Sequence, residues 1–264
     1  SKNEKRAEAD GIGIIGFRPL QLFHVEQCFL GTFWGRGLTE NSFRSKITLL
    51  YNIVIHGGRG MERESETQAK ILAAATAEFL RKGFRGASLR QIVKSVGVTT
   101  GAFYRYYASK EELFDVLVLP HARRIMELYE AGAADFKRMP PEEQIDAMGE
   151  VGRRCMKAMY EYARAHRDAF RLILAAPESS KCGDFIHRLT EREIAETRDF
   201  MSALTSRGRS VTTVSPHFEH IVVSGRFAAL FELVIHDVPP EEALKCIDQL
   251  CDFHRAGWAK LMGL

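Results

Sequence analysis

The sequence predicts an all-α protein: an N-terminal three-helix helix-turn-helix domain followed by a C-terminal helical bundle. Two observations carry this. From Thr67 onward apolar residues recur at helical spacing almost without interruption. No apolar run bounded by turn signals reads as a strand.

The elements follow in order. Ile71, Ala74, Ala75 and Phe79 mark one apolar helix face. Lys82 and Gly83 end that helix, and Phe84 is the hydrophobic residue that often follows a glycine cap. Ser88 is a candidate N-cap for a short helix, Leu89 to Ser95, with Ile92 and Val96 turned inward. Gly97 breaks it, and Thr99 can cap a third helix reaching about Tyr106. Ser109 and Glu112 form a capping box that opens a fourth. The remainder reads as helices over 110–137, with Pro120 a candidate kink, then 142–164, 167–175, 185–204, 216–235 and 240–262. Prolines near several helix starts sit where a missing N–H does no harm.

The 264 residues, 45% hydrophobic and 27% charged, suffice for two buried cores. The longest apolar runs fall well short of the roughly 20 residues that a membrane span needs, so no membrane partner is expected. Five cysteines form no CxxC pair and leave an odd one over. That argues for a reducing compartment, and a cytoplasmic protein is expected.

Three domains are expected. Residues 1–60 form an irregular extension in which glycines and aromatics recur without period. They read as translated upstream sequence with Met61 the natural start; a genuine extension is the alternative. Residues 61–112 hold the helix-turn-helix domain, its motif at about 88–108, and residues 113–264 hold the bundle. Charge follows this division. Residues 61–110 carry nine Lys+Arg against four Asp+Glu, whereas 111–264 carry twenty against twenty-five. Between Thr67 and Lys110 a single acid, Glu78, stands against eight bases. A basic segment joined to a mildly acidic body suggests that one part meets a polyanion and the other does not.

The stretch from Thr67 to Phe114, with ILAAATAEFLRKGF and then SLRQIVKSVGVTTGAFYRYYASKEELF, resembles the DNA-binding domain of TetR/AcrR-family transcriptional regulators. Departures from the family pattern are mild: Ser88 stands for Thr, Val93 and Val96 for Ala, Ala102 for Thr, Phe103 for Leu and Tyr107 for Phe. The resemblance implies that Tyr104 and Lys110 contact phosphate. It also implies that Arg90, Thr100, Gly101 and Arg105 face base edges or backbone. Elementary chemistry agrees. Gly101 lets the backbone approach a duplex closely, and Thr99 and Thr100 can donate to phosphate or offer a methyl to thymine. The guanidinium of Arg90 or Arg105 can bridge the O6 and N7 of guanine. Ser88 and Tyr106 complete the candidate DNA-binding set, although Tyr106 reads equally as core. Phe103 and Tyr107 read as core, Lys94 as either a solvated face or a contact, and Arg63 as an arm that can enter a minor groove.

For the larger half, the resemblance implies a homodimer in which the last two helices pair with their copies. Phe227, Leu230, Phe231, Leu250, Phe253 and Trp258 are the expected interface. It also implies a pocket for a small-molecule effector among inner-helix residues such as Met126, Tyr129, Met156, Met159, Tyr160, Phe170, His187 and Met201, no one of which is assigned to a ligand. The expected function is therefore a repressor that binds a palindromic double-stranded operator and is released by an effector. The alternative is an effector-independent or protein-controlled regulator whose bundle is an assembly surface.

Enzyme signatures do not appear: HExxH, GxSxG and GxxxxGK[ST] are all missing. Gly11-Ile-Gly13-Ile-Ile-Gly16 spells a dinucleotide fingerprint, but a charged stretch precedes it where a strand is needed. Asp184 with His187 and Cys251 with His254 are isolated pairs, so no metal, cofactor or catalytic residue is expected.

Overall fold

A computed structural model of the chain describes residues 59–263. The expectations for the first 58 residues, and for the Arg63 side chain, lie outside what is described. Among the described residues there are nine helices and no strand. They are α1 (Arg59–Gly86), α2 (Leu89–Ser95), α3 (Thr100–Phe103), α4 (Lys110–Arg138), α5 (Pro141–Ala165), α6 (Arg167–Leu174), α7 (Phe185–Ser206), α8 (Pro216–Ile235) and α9 (Pro240–Met262). None is long and apolar enough to cross a membrane.

On α1 the i, i+4, i+8 residues Ile71, Ala75 and Phe79 are fully buried. The helix is interrupted at Gly83, whose φ of 68° only glycine adopts without strain. Phe84 then stacks on Phe79 at 5.8 Å, and Phe114 of α4 packs edge-on against both. Together with Ile92, Val93, Phe103, Tyr107 and Leu113 these rings form the core of the head. Helix α4 thus begins inside that core. It continues through Pro120 without a break in its helical assignment, burying Ala122, Ile125 and Tyr129 further on.

In the larger half, Phe231 stacks on Phe170 at 5.4 Å and meets Phe185 at 5.6 Å, while Phe227 meets Tyr129 at 6.1 Å. Two polar ties hold the helices in place. Asp115 accepts from Ser180 Oγ at 2.7 Å and from the Lys181 N–H at 3.1 Å, fixing α4 to the loop before α7. Arg167 donates to the carbonyls of Val234 and Ile235 at the end of α8, tying α6 to it.

The expected dimer face requires a correction. Phe227, Leu230 and Phe231 are 0% exposed in the single chain. They are core, and no partner can reach them. Of the six residues named, Phe253 is 73% exposed, whereas Leu250 and Trp258 are half-buried. Ile221 and Phe218 of α8 and Leu261 of α9 are the other large apolar residues that these two helices leave exposed.

Candidate nucleic-acid interface

The tight geometry between α2 and α3 follows from three residues. Gly97 has a φ of 70°, so the chain turns there at no steric cost. The Val98 N–H donates back to the Val93 carbonyl at 3.0 Å, and Val98 packs against the core. Thr99 Oγ1 accepts from the Ala102 N–H at 3.1 Å, capping α3. The regular helix is shorter than expected. After Phe103 the Arg105 and Tyr106 N–H groups donate to the carbonyls of Ala102 and Phe103, three residues back, so Tyr104 to Tyr106 form a turn.

Arg90, Thr99, Thr100, Gly101, Tyr104 and Arg105 are all exposed. Tyr104 at 55% is a large ring presented to solvent beside the buried Phe103. At Gly101 an added methyl would meet nothing within 4 Å, so the protein's own packing does not require glycine there. Tyr106 is half-buried against the core, and Phe103 and Tyr107 are buried. Ser88 takes the N-cap position of α2 without a side-chain capping bond; instead its N–H donates to Glu78 Oε1 at 3.4 Å.

Two residues of the head carry more structure than sequence reasoning assigned them. Glu78 is 7% exposed and pairs with Arg81 at 2.5 Å and Lys82 at 2.8 Å. The hydrogen bond from Lys82, helped by those from Arg81 and the Ser88 N–H and opposed by burial, lowers its pKa to about 2. Its isolation among eight bases was the signal that could have found it. Lys110 Nζ donates to the carbonyls of Phe84 at 2.8 Å and Ala87 at 3.2 Å and sits over the Phe84 ring at 4.5 Å. An ammonium has three N–H groups, so one is left for a further acceptor.

The larger half holds a partly open pocket of about 360 Å³. Tyr129, Met156 and Met159 line it, as do Cys155, Glu193, Arg226, Cys251 and His254. Tyr160 and Phe170 belong to the core instead, and His187 is exposed on the surface. Arg226 pairs with Glu193 at 2.5 Å in the cavity wall. Burial lowers the His254 pKa to about 4, with Arg226 adding to the shift, so the ring is neutral at pH 7. Burial pushes the Cys155 thiol up to about 12 and raises Cys251 as well, which leaves both as unreactive thiols.

The local architecture defines a helix-turn-helix protein with a basic, exposed reading segment. Residues 71–117 match the model of the bacterial regulatory proteins of the tetR family, a likeness carried by the helix-turn-helix domain. The uncharacterized HTH-type transcriptional regulator YdgC of Bacillus subtilis (strain 168) is 38% identical over 66 residues, 25% of this chain and 34% of that protein. The HTH-type transcriptional repressor NemR of Escherichia coli (strain K12) is 32% identical over 79 residues, 28% of this chain and 39% of that protein. The chain thus spans little more than a third of the curated relatives it matches. A solved tetR-family transcription regulator from Shewanella sp. PV-4 superposes with a TM-score of 0.50 at 16% identity, over 74% of this chain and 98% of that one. That likeness concerns the fold alone.

Proposed function

We propose that the protein is a cytoplasmic transcriptional repressor that binds a palindromic DNA operator as a homodimer and is released by a small-molecule effector. The observation that carries the reading is the composition of the α2–α3 surface. Arg90, Arg105 and Tyr104 are exposed, and Arg90 and Arg105 have no ion-pair partner among the described residues. Cations left unneutralised beside a tight helix-turn-helix favour a polyanionic duplex.

Dimerisation is supported by the apolar residues that α8 and α9 leave exposed, Ile221 and Phe253 foremost. Two copies joined there carry two heads, which a two-fold operator matches. Release by an effector is supported by the cavity, whose volume lies within the range of small-molecule sites. Its mostly apolar lining, with Tyr129, His254 and the Glu193–Arg226 pair as polar groups, suits a lipophilic compound that carries a polar handle.

The test is fluorescence anisotropy with duplexes from upstream of the chain's own gene, at several salt concentrations. Specific binding should weaken steeply with salt. Arg105→Ala should reduce affinity by about tenfold or more, the worth of a bidentate base contact. Equal affinity for every duplex, in both the wild type and the Arg105→Ala variant, would refute the reading.

A further inference from the structure

His187 and Glu191 lie one turn apart on α7, and His220 lies on α8. The three offer one ligand atom each within 4.8 Å of the others, and His220 Nδ1 stands 3.2 Å from Glu191 Oε1. The two imidazole rings face each other at 5.5 Å between centroids. The i, i+4 spacing puts His187 and Glu191 on one face of α7, turned toward the helix that brings His220.

We propose that His187, Glu191 and His220 form a surface site for a divalent transition-metal ion, with Zn²⁺ the ion that best suits the ligand set. Two imidazoles and a carboxylate are the donors that zinc takes when a fourth, open position is left to water. Bonds of about 2.0–2.2 Å in a tetrahedral arrangement require donor atoms roughly 3.4 Å apart. The Glu191–His220 separation already meets this, and rotamer adjustment of the exposed His187 brings in the third donor.

Neighbouring cations do not occupy the carboxylate. Arg188 is engaged by Asp184 and the Lys181 carbonyl, and Arg192 by Glu196 and Glu130. Glu191 has His220 as its partner. The cluster has no packing task either, since His187 and Glu191 are exposed. An ion there would clamp α7 to α8, the two helices that carry Glu193 and Arg226 of the cavity wall. The site is independent of the DNA-binding reading.

The experiment is a Zn²⁺ titration of the full, tag-free chain against a chromophoric chelator, paired with thermal melts. The wild type should bind Zn²⁺ and melt higher with it. His187→Ala and His220→Ala each remove a ligand, should weaken binding by at least the roughly tenfold that loss of an outer-shell partner costs, and should abolish the melting shift. Glu191→Gln, nearly isosteric, should weaken it in the same direction. His236→Ala is the control: that residue forms its own i, i+4 pair with Glu232 and should leave binding unchanged. With Co²⁺ the spectrum should lack a thiolate charge-transfer band. Wild-type affinity in the His187→Ala/His220→Ala double variant, or cobalt bound through thiolate, would overturn the proposal.

Discussion

The ammonium of Lys110 donates to the carbonyl of Phe84 at 2.8 Å, joining the first turn of α4 to the segment that follows the break in α1. Phe84 is thereby held twice, by this bond and by the cation over its ring. The residue expected to touch phosphate also sets the position of the reading helices.

Lys110→Met keeps the aliphatic stem and removes both charge-assisted hydrogen bonds. It should destabilise the protein by about 1–3 kcal/mol, measured by urea denaturation. If Lys110 acts on DNA alone, affinity will fall and stability will stay unchanged.

Gly101→Ala separates packing from recognition. An added methyl meets nothing within 4 Å, so the variant should fold as stably as the wild type or slightly better. DNA affinity should nevertheless drop, because the methyl stands where the backbone would approach the duplex. Unaltered anisotropy curves would count against a close approach at this residue.

Two groups should contribute to the acid stability in separate windows, alongside His121, which burial and His166 also lower, and Asp248, which its hydrogen bond from Lys157 lowers. His254 has its pKa lowered to about 4 by burial, below the ordinary value of 6.5. Between these values the unfolded chain takes up a proton that the folded chain refuses, so stability falls as pH drops from about 6.5 towards 4. Glu78 is lowered from 4.5 to about 2 by Lys82, Arg81 and Ser88. Its contribution is present above about 4.5 and is lost as pH falls towards 2. Urea midpoints recorded against pH should show a smaller upper step in His254→Gln and a smaller lower step in Glu78→Gln.

Substitutions on α8 and α9 should divide by face. Phe227→Ala removes a ring that is 0% exposed and should cost about 3–5 kcal/mol. Ile221→Glu and Phe253→Glu alter exposed apolar side chains and should leave the fold intact while shifting sedimentation from dimer to monomer. A monomeric wild type would refute the proposed assembly.

Much of the helical layout is legible in the sequence. Proline at the first position starts α8 and α9 where expected, and the capping box at Ser109 opens α4 as read. The third helix is overestimated because its closing bonds tighten to three-residue spacing, which no local pattern announces. The inner face of α8 is not legible in the sequence, for a clear reason. Apolar residues occur on every side of that helix, so periodicity cannot tell Phe227 from Ile221. Exposure of the reading residues follows from their chemistry. The internal roles of Glu78 and Lys110 do not, since Ser88 lies 10 residues from Glu78 and Phe84 lies 26 from Lys110.

Helix α4 spans both halves in one piece: Phe114 lies in the head and Tyr129 at the cavity wall. Between them sits Pro120, which has no N–H and so leaves one rung out of the helical ladder. The rod therefore lacks one backbone hydrogen bond a little over a third of the way along its length. Flexing at that joint would swing the head relative to the cavity by angle alone, with neither core melting.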